Sequence, residues 1–188
     1  MELRKAGGGA RQGKAPLTAV QLRVLNVYSE TVSDGFGIRF AVYFSGCSHH
    51  CRGCHNPQSW NPQEGEALDE VLQERILSEL ESNPILDGIT FSGGDPMFNP
   101  QEFLKFLKLV KSRTGLNVWC YTGYTYEELI ADPERKPILK YIDVLVDGKF
   151  MMSKKDPRLY FRGSSNQHIL YLKNGKVLRE AKPEEGEF

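Results

Sequence analysis

The strongest constraint on the fold lies between residues 38 and 147, where short apolar runs alternate with amphipathic segments. Ile38 to Phe44, Gly88 to Ser92, Asn117 to Thr122 and Ile142 to Val146 read as strands. Ala67 to Ser82 carries Leu68, Val71, Leu72, Ile76 and Leu80 at helical spacing. A second helix is announced by Asn99 as N-cap, Pro100 as first helical residue and Glu102 in a capping-box-like position, with Gly115 after its end; Thr125 and Glu128 open a third in the same way. Such alternation buries its apolar faces when helices cover a parallel sheet, so the spacing predicts an α/β fold with a mainly parallel sheet.

The flanks carry different signals. Gln21 to Tyr28 and Ile38 to Phe44 are two strands joined by the connection Ser33-Asp34-Gly35-Phe36-Gly37. Gln167 to Leu172 and Val177 to Glu180 surround Asn174-Gly175, which reads either as a hairpin or as a frayed tail. At 188 residues the chain fits one domain. Residues 1–20, Gly-rich and basic, are expected to be a disordered extension, residues 21–180 the single domain, and 181–188 a flexible acidic tail.

Lysine plus arginine and aspartate plus glutamate both number 24, so the balanced charge gives no support to a nucleic-acid partner. No apolar run approaches the ~20 residues of a membrane span, and the N-terminus lacks the apolar segment of a secretory signal. Four cysteines without such a signal, three of them clustered, suggest a reducing compartment, the cytoplasm, and a metal or cluster site.

The three are Cys47, Cys51 and Cys54, at C-x3-C-x2-C spacing on a loop that follows a strand. Thiolates are the usual ligands of iron–sulfur clusters, and three of them on a [4Fe–4S] cubane leave one iron open. The amino and carboxylate groups of S-adenosylmethionine can chelate that iron, and one electron from the cluster then breaks the sulfonium C–S bond to release a 5′-deoxyadenosyl radical. The competing reading is a zinc site completed by His49, His50 or His55.

Two further motifs also follow strand ends, where α/β folds bind ligands. Gly93-Gly94-Asp95-Pro96 lets the backbone approach a ligand closely and offers carbonyls and a carboxylate to an ammonium group. In Asp147-Gly148-Lys149, Lys149 suits a ligand carboxylate and Asp147 a ribose or amino group; a solvated strand end is the alternative. Arg162 to Gln167 is a polar loop without a derivable role, and Cys120, beside Trp119 in an apolar strand, reads as a core thiol.

In this order, the cysteine loop, Gly93 to Pro96, Tyr121-Thr122-Gly123-Tyr124, Val146 to Phe150 and Arg162 to Gln167 resemble the activating proteins of anaerobic ribonucleoside-triphosphate reductase, over roughly residues 22 to 172. That family belongs to the radical S-adenosylmethionine glycyl-radical activases. The resemblance implies a shortened, incomplete (β/α) barrel with the cluster at its open top. It implies hydrogen abstraction from a glycine of the reductase's large subunit, with reduced flavodoxin or a similar electron donor. By motif, Cys47, Cys51 and Cys54 are the catalytic cluster ligands, and Gly53, Cys54, His55, Gly93, Gly94, Asp95, Asp147 and Lys149 line the S-adenosylmethionine site. Many radical S-adenosylmethionine enzymes carry an aromatic residue before the third cysteine; here that position is Gly53, so adenine must be held otherwise. A radical enzyme for a small molecule and a non-catalytic zinc-binding module are the alternative functions.

Overall fold

The computed structural model describes residues 21–181. The expected extension over 1–20 and, apart from Ala181, the acidic tail over 181–188 lie outside the described residues. The elements in chain order are β1 (Arg23–Thr31), β2 (Arg39–Ser45), β3 (Glu66–Ala67), α1 (Glu70–Ser82), β4 (Gly88–Gly93), α2 (Pro100–Thr114), β5 (Asn117–Tyr121), α3 (Tyr126–Ala131), β6 (Val144–Asp147), β7 (His168–Lys173) and β8 (Lys176–Glu180). Among the described residues all eight strands join one open sheet in the order β3-β1-β2-β4-β5-β6-β7-β8. Among the described residues no helix is long and apolar enough to cross a membrane.

The alternating stretch forms parallel strands, as its spacing predicts: β2, β4, β5 and β6 lie side by side in parallel. The sheet as a whole is not mainly parallel, because these three pairings are outnumbered by four antiparallel ones. The cause is connection length and content. The links between β1 and β2 and between β7 and β8 are too short for a crossover, so they can only reverse the chain. No crossover helix spans the link from β6 to β7 either. The Asn174-Gly175 pair sits at φ of 52° and 75°, the left-handed region that a tight hairpin turn requires, so the late pair is a hairpin.

The helix signals act locally. Asn99 Oδ1 accepts from Glu102 N at 3.3 Å, and Gly115 ends α2 in the left-handed region at φ 64°. The Glu102 carboxylate also accepts from Leu22 N at 2.8 Å, tying α2 to the start of the sheet. Thr125 and Glu128 form a reciprocal capping box on α3. For α1, Asp69 is the cap, and the buried face is Leu72, Ile76, Leu77 and Leu80. Val71, expected on that face, is 77% exposed. Leu72, Ile76 and Leu80 already define the stripe, and one residue before Leu72 the helix has turned about 100° away from it.

Strand alternation divides the sheet into two faces. Under the helices, Phe91 packs against Phe44, Phe103 and Phe106 with ring centroids 5.8, 5.1 and 6.0 Å apart. The expected core thiol Cys120 is buried in this same cluster. The other face holds Trp119, Val144, Val146 and Ile169, joined by Phe36 and Phe161. At the amino ends of the parallel strands this face is plugged by the buried Arg39. Its guanidinium donates to Thr90 Oγ1 (2.7 Å), Ile89 O (2.7 Å), Asn117 O (3.1 Å) and Phe36 O (3.2 Å). Burial lowers its pKa to about 10. With one end filled by Arg39, the open end is the carboxyl side.

Candidate active site

The carboxyl ends of β2, β4, β5 and β6 deliver, in turn, the cysteine loop, Gly93-Gly94, Thr122-Gly123 and Gly148. All of these line one cavity of about 370 Å³, together with Cys47, Cys51, Cys54 and His55. Ligand binding beyond strand carboxyl ends is the general behaviour of such sheets. The structure therefore brings together the three cysteines and both glycines of the Gly-Gly pair.

The Gly-Gly pair has a second job, which is to hold the cysteine loop. Gly93 sits at φ 97°, and a Cβ there would lie 2.6 Å from Phe44 N. A Cβ on Gly94 would lie 2.5 Å from Gly46 O. This close approach lets Gly94 N donate to Phe44 O at 2.7 Å and Asp95 N to Gly46 O at 2.9 Å. Across the loop, Gly46 N donates to Ser59 O at 2.8 Å and Cys47 N to Trp60 O at 3.3 Å. The stem is thus fixed from both sides.

Several expected ligand contacts take other positions. Asp95, only 1% exposed, is outside the cavity lining. It accepts from Met97 N (2.8 Å), Gly123 N (3.0 Å) and Thr122 Oγ1 (3.0 Å), and its Oδ2 lies 2.8 Å from His49 Nε2. Asp147 is equally buried; its Oδ2 accepts from Tyr126 N at 2.8 Å, while Oδ1 accepts from His168 N at 3.2 Å and meets His168 Nδ1 at 2.9 Å. Both carboxylates shape the cavity from behind. Lys149 and Gly53 are exposed and also outside the lining, with Met152 packed over Gly53 at 3.1 Å from its ideal Cβ position.

Sequence reasoning missed two contributors, Tyr43 and Asp34, and weighed a third, His49, only as a zinc ligand or a solvated or supporting histidine. His49 is packed edge-on to Tyr124 at 4.5 Å and bridges the cysteine loop to Asp95. Tyr43 and Asp34 line the cavity, the Tyr43 hydroxyl donating to Asp34 Oδ1. Burial, helped by this carboxylate, pushes the Tyr43 pKa up. Strand alternation could have found Tyr43, since it points opposite to the core residues Val42 and Phe44; nothing local distinguishes Asp34 from an ordinary turn aspartate.

Comparison with known proteins supplies a family. A family model described as a 4Fe-4S single cluster domain matches residues 33–170. The anaerobic ribonucleoside-triphosphate reductase-activating protein of Haemophilus influenzae is 40% identical over 152 residues, covering 79% of this chain and 97% of the relative. Its counterpart from Pasteurella multocida is 42% identical over 152 residues, with 79% and 96% covered. That of Escherichia coli K12 is 38% identical over 151 residues, with 78% and 96% covered. The chain belongs to the anaerobic ribonucleoside-triphosphate reductase-activating protein family.

In this activating-protein family member, the donor set fits an iron–sulfur cluster. All three thiols are free, and they share a cavity wall rather than a single point; among the described residues no three His, Cys, Asp or Glu side chains converge on a one-ion position. Asn56 N–H donates to Cys54 Sγ at 3.4 Å, and the backbone of His49 and His50 beside Cys47 and of Phe150 beside Cys51 favours the thiolate form. Such donors stabilise thiolate and cluster charge. Burial pushes the Cys47 thiol up to about 11 and the Cys51 thiol upward too, so cluster binding at neutral pH displaces protons from both.

Proposed function

We propose that this chain is a radical S-adenosylmethionine activase that generates the glycyl radical of anaerobic ribonucleoside-triphosphate reductase. The observation that carries the reading is the shared cavity. Three thiols at C-x3-C-x2-C spacing face the strand-end motifs of four parallel strands, in a chain at 40% identity to a reductase-activating protein. Residues 21–180 form, on this reading, a single radical S-adenosylmethionine domain, a shortened, incomplete (β/α) barrel acting in the cytoplasm.

Cys47, Cys51 and Cys54 hold the [4Fe–4S] cluster. When bound, the cluster supplies the electron that splits the sulfonium C–S bond, giving the 5′-deoxyadenosyl radical that takes a hydrogen atom from a glycine of the reductase's large subunit. The backbone of Gly93 and Gly94 borders the methionine end of S-adenosylmethionine, with His55 on the same wall. Gly53, Asp95, Asp147 and Lys149 act around this wall: Asp95 and Asp147 fix the strand-end loops, Gly53 leaves room for Met152, and Lys149 adds positive charge beside Cys51. Reduced flavodoxin, or a donor like it, delivers the electron.

The test is anaerobic reconstitution followed by mixing with reductant, S-adenosylmethionine and the large subunit. A reducible four-iron cluster and a glycyl-radical doublet in electron paramagnetic resonance are expected, and Cys51→Ala should lose both. Formation of 5′-deoxyadenosine without the doublet would assign a different substrate. A colourless protein holding one zinc would refute the enzyme reading.

A further inference from the structure

The link from β6 to β7 has two faces. Inward, Gly148, Phe150, Phe161 and Gly163 line the cavity. Outward, Lys149, Met151, Met152, Lys154 and Lys155 are exposed, and none of them lines the cavity. This outward face meets the cysteine loop. Met152 packs 3.1 Å from the ideal Cβ position of Gly53, and the positive charge of Lys149 acts on the Cys51 thiol. Arg52 and Gly53 are themselves exposed, so the turn between Cys51 and Cys54 reaches the surface beside Met152.

Charges balance over the whole chain, but not here. Residues 45–60 contain no aspartate or glutamate, and residues 148–161 contain only Asp156, which is paired with Arg158 at 2.9 Å. Arg52, Lys149, Lys154 and Lys155 are thus cations without local compensation, and among the described residues none of them is in an ion pair. Met151 and Met152 stand among them, 42% and 51% exposed. Unbranched, polarisable methionine side chains adapt to differing surfaces, and cations around a small apolar contact suit a weak, short-lived encounter steered by charge.

We infer that this face docks an acidic one-electron donor protein, an assignment that rests on the function proposed above. On that reading three visitors have to reach the site. S-adenosylmethionine occupies the cavity, and the glycine of the reductase comes to it through the cavity mouth, so the donor needs another approach. Electron transfer weakens steeply with distance, and the exposed Arg52–Gly53 turn is the backbone that joins two of the three thiols. The step moves one electron and no atoms: the donor is oxidised by one electron and the cluster reduced by one. An acidic rim around the donor's redox group would be drawn to the four cations and would orient that group over the turn.

The experiment follows reduction of the reconstituted cluster by anaerobic stopped flow, with reduced flavodoxin as the protein donor and photoreduced 5-deazariboflavin as a small uncharged one. For the unaltered protein the flavodoxin rate should fall as salt rises, since the screening length drops from about 30 Å at 0.01 M to about 8 Å at 0.15 M. Lys154→Glu/Lys155→Glu should slow flavodoxin at least about 10-fold at low salt and remove that salt dependence, while deazariboflavin reduction and iron per chain change by less than about twofold. Calorimetric binding of oxidised flavodoxin should weaken in step, and Lys154→Arg/Lys155→Arg should keep the wild-type rate. Flavodoxin reduction at the wild-type rate in the glutamate pair would overturn the assignment, as would equal slowing of both reductants. So would unchanged flavodoxin reduction with loss of the deazariboflavin-driven glycyl radical, which would give this face to the reductase. Unaltered protein in which neither reductant yields a reduced cluster sinks the activase reading itself, whereas a reducible cluster indifferent to these lysines sinks this docking face alone.

Discussion

Replacing Asp95 by asparagine changes one oxygen to an amide nitrogen at constant volume, and the structure sets the cost. In the native arrangement Oδ1 accepts from Met97 N–H and Oδ2 from Gly123 N–H, with Thr122 Oγ1 within 3.0 Å of both. Whichever way the amide is turned, its NH2 faces one backbone N–H that has lost its acceptor. Thr122 can rotate its hydroxyl and His49 can change tautomer, but a peptide N–H cannot adapt. One buried donor left unsatisfied costs about 1–3 kcal/mol, and loss of the ionised acceptor weakens the remaining bonds, so a total of about 2–4 kcal/mol is expected. For a domain of this size that corresponds to a fall in Tm of roughly 5–15 °C. Thermal unfolding followed by circular dichroism on iron-free protein reads it directly. A fall below about 2 °C would refute the view that Asp95 is a structural acceptor, and would return it to the role of a ligand-facing carboxylate.

Gly94→Ala drives a Cβ to 2.5 Å from Gly46 O, so it should lower iron bound per chain after reconstitution more than it lowers Tm. Arg39→Lys replaces a planar fork that reaches Thr90, Ile89, Phe36 and Asn117 by a single ammonium. A loss of about 2–4 kcal/mol in urea unfolding is expected, with iron loading retained. Cys120→Ala, in the core beneath the helices, should cost about 1–2 kcal/mol and keep the full cluster; loss of iron in this variant would overturn the ligand assignment.

What the sequence made legible was what local chemistry determines. Asn99, Pro100 and Gly115 bound α2, and Thr125 with Glu128 start α3, because caps depend on residues within one turn. The parallel order of β2, β4, β5 and β6 followed from their alternation with helical segments. The three cysteines were legible because a ligand set only eight residues long cannot be far apart. What was not legible is set by distant partners. Nothing near Asp95 tells that His49, Thr122 and Gly123 converge on it from 46, 27 and 28 residues away. Likewise, Lys149 and Arg162 are equally cationic in sequence, and only the path of the chain after β6 decides which one borders the cavity. The antiparallel β6–β7 pairing was hidden for the same reason, since residues 148–167 show no clear periodicity.

The clamped stem of the cysteine loop separates two events that coincide in many small metalloproteins. A zinc finger acquires its shape only when metal draws its ligands together. Here peptide hydrogen bonds from Gly46 to Ser59 and from Cys47 to Trp60 already close the loop, and Ser59 adds bonds to Asn56 O through both its N and Oγ. These bonds run through the main chain and Ser59 and not through the sulfurs, so protein stripped of iron is expected to keep its fold and to take up a cluster again, which circular dichroism and iron content before and after chelation would check.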